Sequence, residues 1–153
     1  MSTENTLPAA LAEIIDDFEA VPEGQRLELL LEFSDELPVL PERYDGHEDQ
    51  MEQVIECQSP LFLAVELEGE AGAEAPVKLF ISAPPEAPTT RGFASVLAQG
   101  LDGVTAREVL EVPDDIPNRL GLTRALTPLR LRGMSAMLGR IKRNVAELAG
   151  AGQ

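Results

Sequence analysis

The chain has one cysteine, one histidine, one tyrosine and no tryptophan. A single cysteine forms no internal disulfide, which fits a reducing compartment. It also builds no cysteine-based metal site by itself, and one histidine adds little toward a zinc. No run approaches the ~18 apolar residues that a membrane span requires. The first thirteen residues lack both a basic region and an apolar core, so no export signal is read there and the expected location is cytoplasmic. Glycine-rich phosphate loops and His-Glu-x-x-His are also missing, which removes support for nucleotide binding and zincin chemistry. Basic residues are few, 12 against 27 acids, for a net charge of −15. That balance disfavours nucleic acid and anionic membranes as partners.

What remains is a chain of 153 residues, 44% hydrophobic, long enough to bury a core as one domain. The expected domain spans residues 7–149, with short tails at 1–6 and 150–153. The charge is uneven. Residues 119–153 hold seven of the twelve basic side chains and a single acid, Glu147. This is either an inert dipolar surface or a means of orienting toward a protein partner.

Leu7, Leu11, Ile14, Ile15 and Phe18 recur at helical spacing, with Pro8 accommodated in the first turn. A second helix is predicted from Pro22-Glu23 to Leu37-Pro38, with Leu27, Leu30, Leu31 and Ser34 on one side. Pro38 to Met51 reads as irregular. Val54-Ile55 is predicted to start a short strand. Leu61 to Glu68 and Val77 to Ser82 alternate as strands do, and the Gly/Ala/Glu-rich turn at 69–75 makes them an antiparallel hairpin. Thr89 or Thr90 is predicted to cap a helix closed by Gly100, and Thr105 to Glu108 reads as a capping box. Pro113 is expected to open another helical turn that Gly121 closes. Thr127-Pro128 opens a long final helix whose buried stripe is Met134, Leu138, Ile141, Val145 and Leu148. Helices at both ends around a small antiparallel sheet of about three strands make an α+β fold.

Cys57 falls between the short Val54-Ile55 segment and the apolar run Leu61 to Leu67, behind Gln58-Ser59-Pro60. That places it on a tight loop at the mouth of a strand. A lone cysteine is more often a small buried hydrophobe than a nucleophile. Here its neighbours are polar and it lies outside the strand alternation. A working sulfur nucleophile needs cations or N–H donors nearby. Arg130, in the first turn of the last helix, and His47, a pH-sensitive side chain ten residues before Cys57, are the candidates. One histidine supports no Cys-His-Asn or Ser-His-Asp arrangement.

Four segments together resemble the SufE family, the sulfur-acceptor partners of cysteine desulfurases in iron–sulfur cluster assembly. They are the leucine-rich Gln25 to Glu42 ending in Leu-Pro-Val-Leu-Pro, the loop Val54-x-x-Cys57-Gln58-Ser59, Arg91-Gly92-Phe93, and Leu126-Thr127-Pro128-Leu129-Arg130-x-x-Gly133-Met134-x-x-Met137. Their order and spacing agree from about residue 10 to 148. Glu56 departs from the pattern, standing where many members have glycine. The resemblance implies a SufE/IscU-like fold in which Cys57 accepts sulfur as a persulfide from a SufS-type cysteine desulfurase. The chain would stimulate that enzyme and pass sulfur to a SufBCD-type scaffold. Gln58, Ser59 and Arg130 would hold the partner or the sulfur, with His47 a weaker candidate. The pyridoxal phosphate belongs to the desulfurase, so no cofactor or metal is expected on this chain. A monomer or weak dimer is expected. Such a chain is a sulfur relay and enzyme activator, not a stand-alone enzyme. Two other readings stay open: a non-catalytic acidic adaptor docking through its basic last helix, and a redox-sensing thiol.

Overall fold

The computed structural model describes residues 7–150; the expected tail at 1–6 and residues 151–153 lie outside the described residues. Six α-helices and a three-stranded antiparallel sheet follow one another among them. α1 spans Ala9–Ala20, α2 Arg26–Ser34, β1 Glu52–Gln53, β2 Phe62–Leu67 and β3 Val77–Ser82. α3 spans Pro88–Leu101, α4 Ala106–Leu110, α5 Ile116–Arg119 and α6 Pro128–Gly150. The fold is α+β, as expected. No helix of the described residues is long and apolar enough to cross a membrane.

The sheet runs β1-β2-β3. In the hairpin Leu63 faces Ile81, Val65 faces Leu79 and Leu67 faces Val77. Because strand side chains alternate, these pairs share one face, and α3 and α6 pack against the hairpin. Leu63, Val77, Leu79 and Ile81 are buried there with Phe93, Leu97, Met137, Leu138 and Ile141. Around the strand residues of opposite parity the irregular segment supplies a cover. Tyr44 packs on Phe80 with the rings tilted and their centroids 5.1 Å apart, its hydroxyl donates to Glu66 at 2.6 Å, and Arg43 forks onto the same carboxylate.

The elements differ from expectation where an apolar residue serves a loop or a side chain serves another element. Val54-Ile55 is not a strand: pairing with β2 is made by Glu52 and Gln53, while Ile55 opens a 3-10 turn and is 71% exposed. In α2 the buried residues are Leu30, Phe33 and Ser34, and Leu31 turns to solvent. That helix ends at Ser34, before Leu37-Pro38, and residues 23–25 ahead of it form a separate 3-10 turn. Pro8 caps α1 from outside its first turn. Ala87, not Thr89 or Thr90, occupies the cap of α3, and Gly100 lies inside that helix. Pro113 precedes α5 without joining it; the proline in its first turn is Pro117. Along α6, Ala149 is buried where Leu148 was expected, and Gly150 is still helical. The Thr105 cap is present, its hydroxyl accepting from the Glu108 N–H at 3.2 Å.

Arg91-Gly92-Phe93 is the joint between helices and sheet. Arg91 donates to the carbonyl of Ser34, at the end of α2, and to that of Ala83, just past β3. Phe93 is fully buried. A Cβ at position 92 would run into the backbone carbonyl of Leu30, so α2 and α3 approach this closely only because residue 92 is glycine. Gly92→Ala is expected to destabilise the chain by about 2–3 kcal/mol, since backbone cannot yield as a flexible side chain does. A denaturant midpoint equal to that of the parent contradicts this account of the packing.

Candidate functional site around Cys57

The loop carrying Cys57 is held at its base and presented at its tip. Val54 and Leu61 are both completely buried, and the Val54 N–H donates to the Leu61 carbonyl at 2.9 Å. Between them the chain makes the 3-10 turn Ile55–Cys57, then turns sharply at Gln58 with φ +60. Gln58 is the one non-glycine residue at positive φ among the described residues. A left-handed residue followed by Ser59-Pro60 reverses the chain within three positions. Cys57 sits at that reversal, half-buried, at the end of the hairpin opposite the 69–75 turn.

The other wall is the start of α6. Thr127 caps it, its hydroxyl accepting from the Arg130 N–H at 3.2 Å, and Pro128 fills the first helical position. Gly133, one turn on, brings the helix backbone against the loop. Its carbonyl lies 3.5 Å from the Cys57 sulfur and accepts from the thiol. A Cβ there would stand 3.1 Å from the Glu56 carbonyl oxygen and 3.2 Å from the Cys57 Cα. The Leu-Thr-Pro-x-Arg-x-x-Gly pattern is thus a cap, a first turn, a cation and a close approach.

Cys57 opens on a cavity of 410 Å³ that Glu56, Gln58, Ser59, Thr90, Thr127, Leu129 and Arg130 also line. Three of the predicted site residues besides the cysteine, Gln58, Ser59 and Arg130, are therefore brought together. The Arg130 guanidinium donates to the Thr89 hydroxyl in the first turn of α3. His47 is not brought in: it is exposed at the head of the 3-10 turn Glu48–Gln50 and does not line the cavity.

Electrostatics at the sulfur run against an activated nucleophile in this conformation. Burial pushes the Cys57 thiol up to about 11 from an ordinary 9.0; the Glu56 carboxylate adds to the rise and Arg140 opposes it. The cation acting on the thiol is Arg140, from the middle of α6, rather than Arg130 or His47. Thiolate is therefore expected to appear between pH 9 and 11, with alkylation by iodoacetamide still climbing at pH 10. A rate that levels off below pH 9 contradicts the burial. Stability carries the same sign: a raised thiol contributes fully below about pH 9 and the contribution is lost as pH climbs toward 11.

A second group of side chains fixes the loop. Arg140 donates to Glu56 at 2.8 and 3.1 Å and to Glu52, in β1, at 2.6 Å. Arg143 and Asn144 also donate to Glu52, at 2.8 and 2.9 Å. Glu56 is held below the usual carboxylate range by a hydrogen bond from its own backbone and then by Arg140; for Glu52 burial pushes up and the bonds from Asn144 and Arg140 outweigh it. Sequence reasoning passed over Arg140 as one of seven basic residues in a basic tail. Its signal was spacing: Gly133, Met137, Arg140 and Asn144 form one helical stripe.

The chain is similar to known proteins over nearly its whole length. An uncharacterized SufE-like protein of Mycobacterium tuberculosis is 54% identical over 147 residues, covering 96% of this chain and 99% of the relative. The SufE-like protein 1 of Arabidopsis thaliana, chloroplastic/mitochondrial, is 26% identical over 148 residues, covering 96% of this chain but 38% of its own length. The solution structure of a hypothetical protein from Thermus thermophilus superposes with a TM-score of 0.78 at 35% identity, covering 95% of this chain and 98% of that one. Residues 12–145 match the SufE description, Fe-S metabolism associated domain, and the chain belongs to that family.

Proposed function

We propose that the chain is a sulfur carrier that accepts persulfide sulfur on Cys57 from a SufS-type cysteine desulfurase and delivers it to a SufBCD-type scaffold. The observation that carries this reading is the placement of the chain's one thiol at the tip of a base-anchored loop, facing a cavity with Arg130 on its wall. Membership of a family associated with Fe-S metabolism supports it.

The step is thiol exchange on a persulfide. Cys57 gives up its proton, and the thiolate attacks the terminal sulfur of the donor. The donor's S–S bond breaks and its cysteine leaves as thiolate, which takes up the proton Cys57 gave up, while a new S–S bond forms on Cys57. No net oxidant is needed. The resting thiol is protonated and hydrogen-bonded to Gly133, so the step requires that this bond break as the proton leaves. The terminal sulfur of the product is anionic at neutral pH, and Arg130 supplies a nearby positive charge.

The test is turnover of a SufS-type desulfurase on cysteine with and without this chain. Faster alanine release with the chain present is expected. An unchanged rate at saturating chain concentration contradicts the proposal.

A further inference from the structure

We infer that Arg140 is the positioning residue of the sulfur site: it latches the Cys57 loop shut by tying Glu56, at the loop tip, to Glu52 in the sheet. The inference rests on Cys57 being the atom a donor must reach. The geometry that carries it is a crosslink. Glu52 is fixed by pairing with Leu63. The loop base is fixed by Val54 and Leu61. The tip touches α6 at two places, seven residues or about two turns apart. One is the weak thiol contact to Gly133. The other is the charged fork from Arg140, whose side chain is 19% exposed and bonded to both carboxylates at once. Charge-assisted hydrogen bonds are the stronger class, and the fork is two-pronged although Glu56 itself is 41% exposed. Opening the tip therefore means breaking Glu56 from Arg140.

The latch ties together residues of three elements, the loop tip at Glu56, β1 at Glu52 and α6 at Arg140. A partner that opens it must offer a cation to Glu56 in place of Arg140.

The experiment is alkylation of the single cysteine by iodoacetamide at one pH, followed by intact mass, in the parent and in Arg140→Met, Arg140→Lys and Glu52→Gln. Arg140→Met separates two accounts by sign. Removing a cation near the thiol slows alkylation if charge alone matters, since Arg140 favours the thiolate. Releasing the latch speeds it. The expected result is a rise of about fivefold in Arg140→Met, the upper scale for an ion pair with one partner exposed to solvent. Arg140→Lys should fall between this variant and the parent. Glu52→Gln, which loosens Arg140 without touching the loop, should rise about threefold. A slower Arg140→Met, or a Glu52→Gln equal to the parent, overturns the inference. Should Arg140→Met lose its circular dichroism spectrum, Glu52→Gln decides alone. No donor protein is used, so the latch can fail while sulfur acceptance stands, and the converse.

Discussion

Cys57→Ser is expected to take up no sulfur and to stimulate no desulfurase, while melting within about 1 kcal/mol of the parent. The separation follows from what the sulfur does in the fold. Its one polar contact among the described residues is the weak donation to the Gly133 carbonyl, which a serine hydroxyl can replace or exchange for cavity water at little cost. The loop base at Val54 and Leu61 and the Arg140 fork do not involve the sulfur. Chemistry is another matter, because an alcohol forms no persulfide. Circular dichroism and a denaturant titration read the first half, and a turnover assay reads the second. Full stimulation by Cys57→Ser would make the chain an adaptor whose cysteine is packing.

Arg130→Ala is expected to lower the rate of sulfur acceptance about tenfold or more, with stability changed by less than about 1 kcal/mol. Its guanidinium is exposed and its one side-chain bond goes to the Thr89 hydroxyl, so the fold asks little of it. The cavity asks more. Arg130 is the only cation among the described residues lining it, and Glu56 lines the same space with the opposite charge. Single-turnover transfer from a persulfide donor, set beside a thermal melt, separates the two effects. Equal losses in both would make Arg130 a structural residue.

The α+β class and the hairpin were legible because strand and helix periods are written in the core residues themselves. Leu61 to Leu67 and Val77 to Ile81 alternate since one face is buried, and Met134, Leu138, Ile141 and Val145 repeat along α6 for the same reason. Val54-Ile55 misled because burial of Val54 serves a loop base and Ile55 faces solvent. Both read as strand formers, yet the pairing is made by two polar residues, Glu52 and Gln53. Leu31 and Leu148 misled because Phe33 and the small Ala149 take the inward positions. At the site, Cys57, Gln58, Ser59 and Arg130 were found through local motifs. Arg140 and Glu52 were not: spacing along α6 puts Arg140 on the stripe of Gly133, but nothing local points to Glu52, 88 positions away. Of the two threonines lining the cavity, Thr90 was read only as a helix cap and Thr127 as a cap within the segment that holds Arg130.

Intact-mass analysis after incubation with cysteine and a SufS-type desulfurase tests the central claim most directly, since the chain has a single thiol to carry the product. The expected spectrum shows one added sulfur atom, removed by reductant and lacking in Cys57→Ser. An unchanged mass, under conditions where the desulfurase itself turns over, contradicts the assignment of Cys57 as the sulfur acceptor.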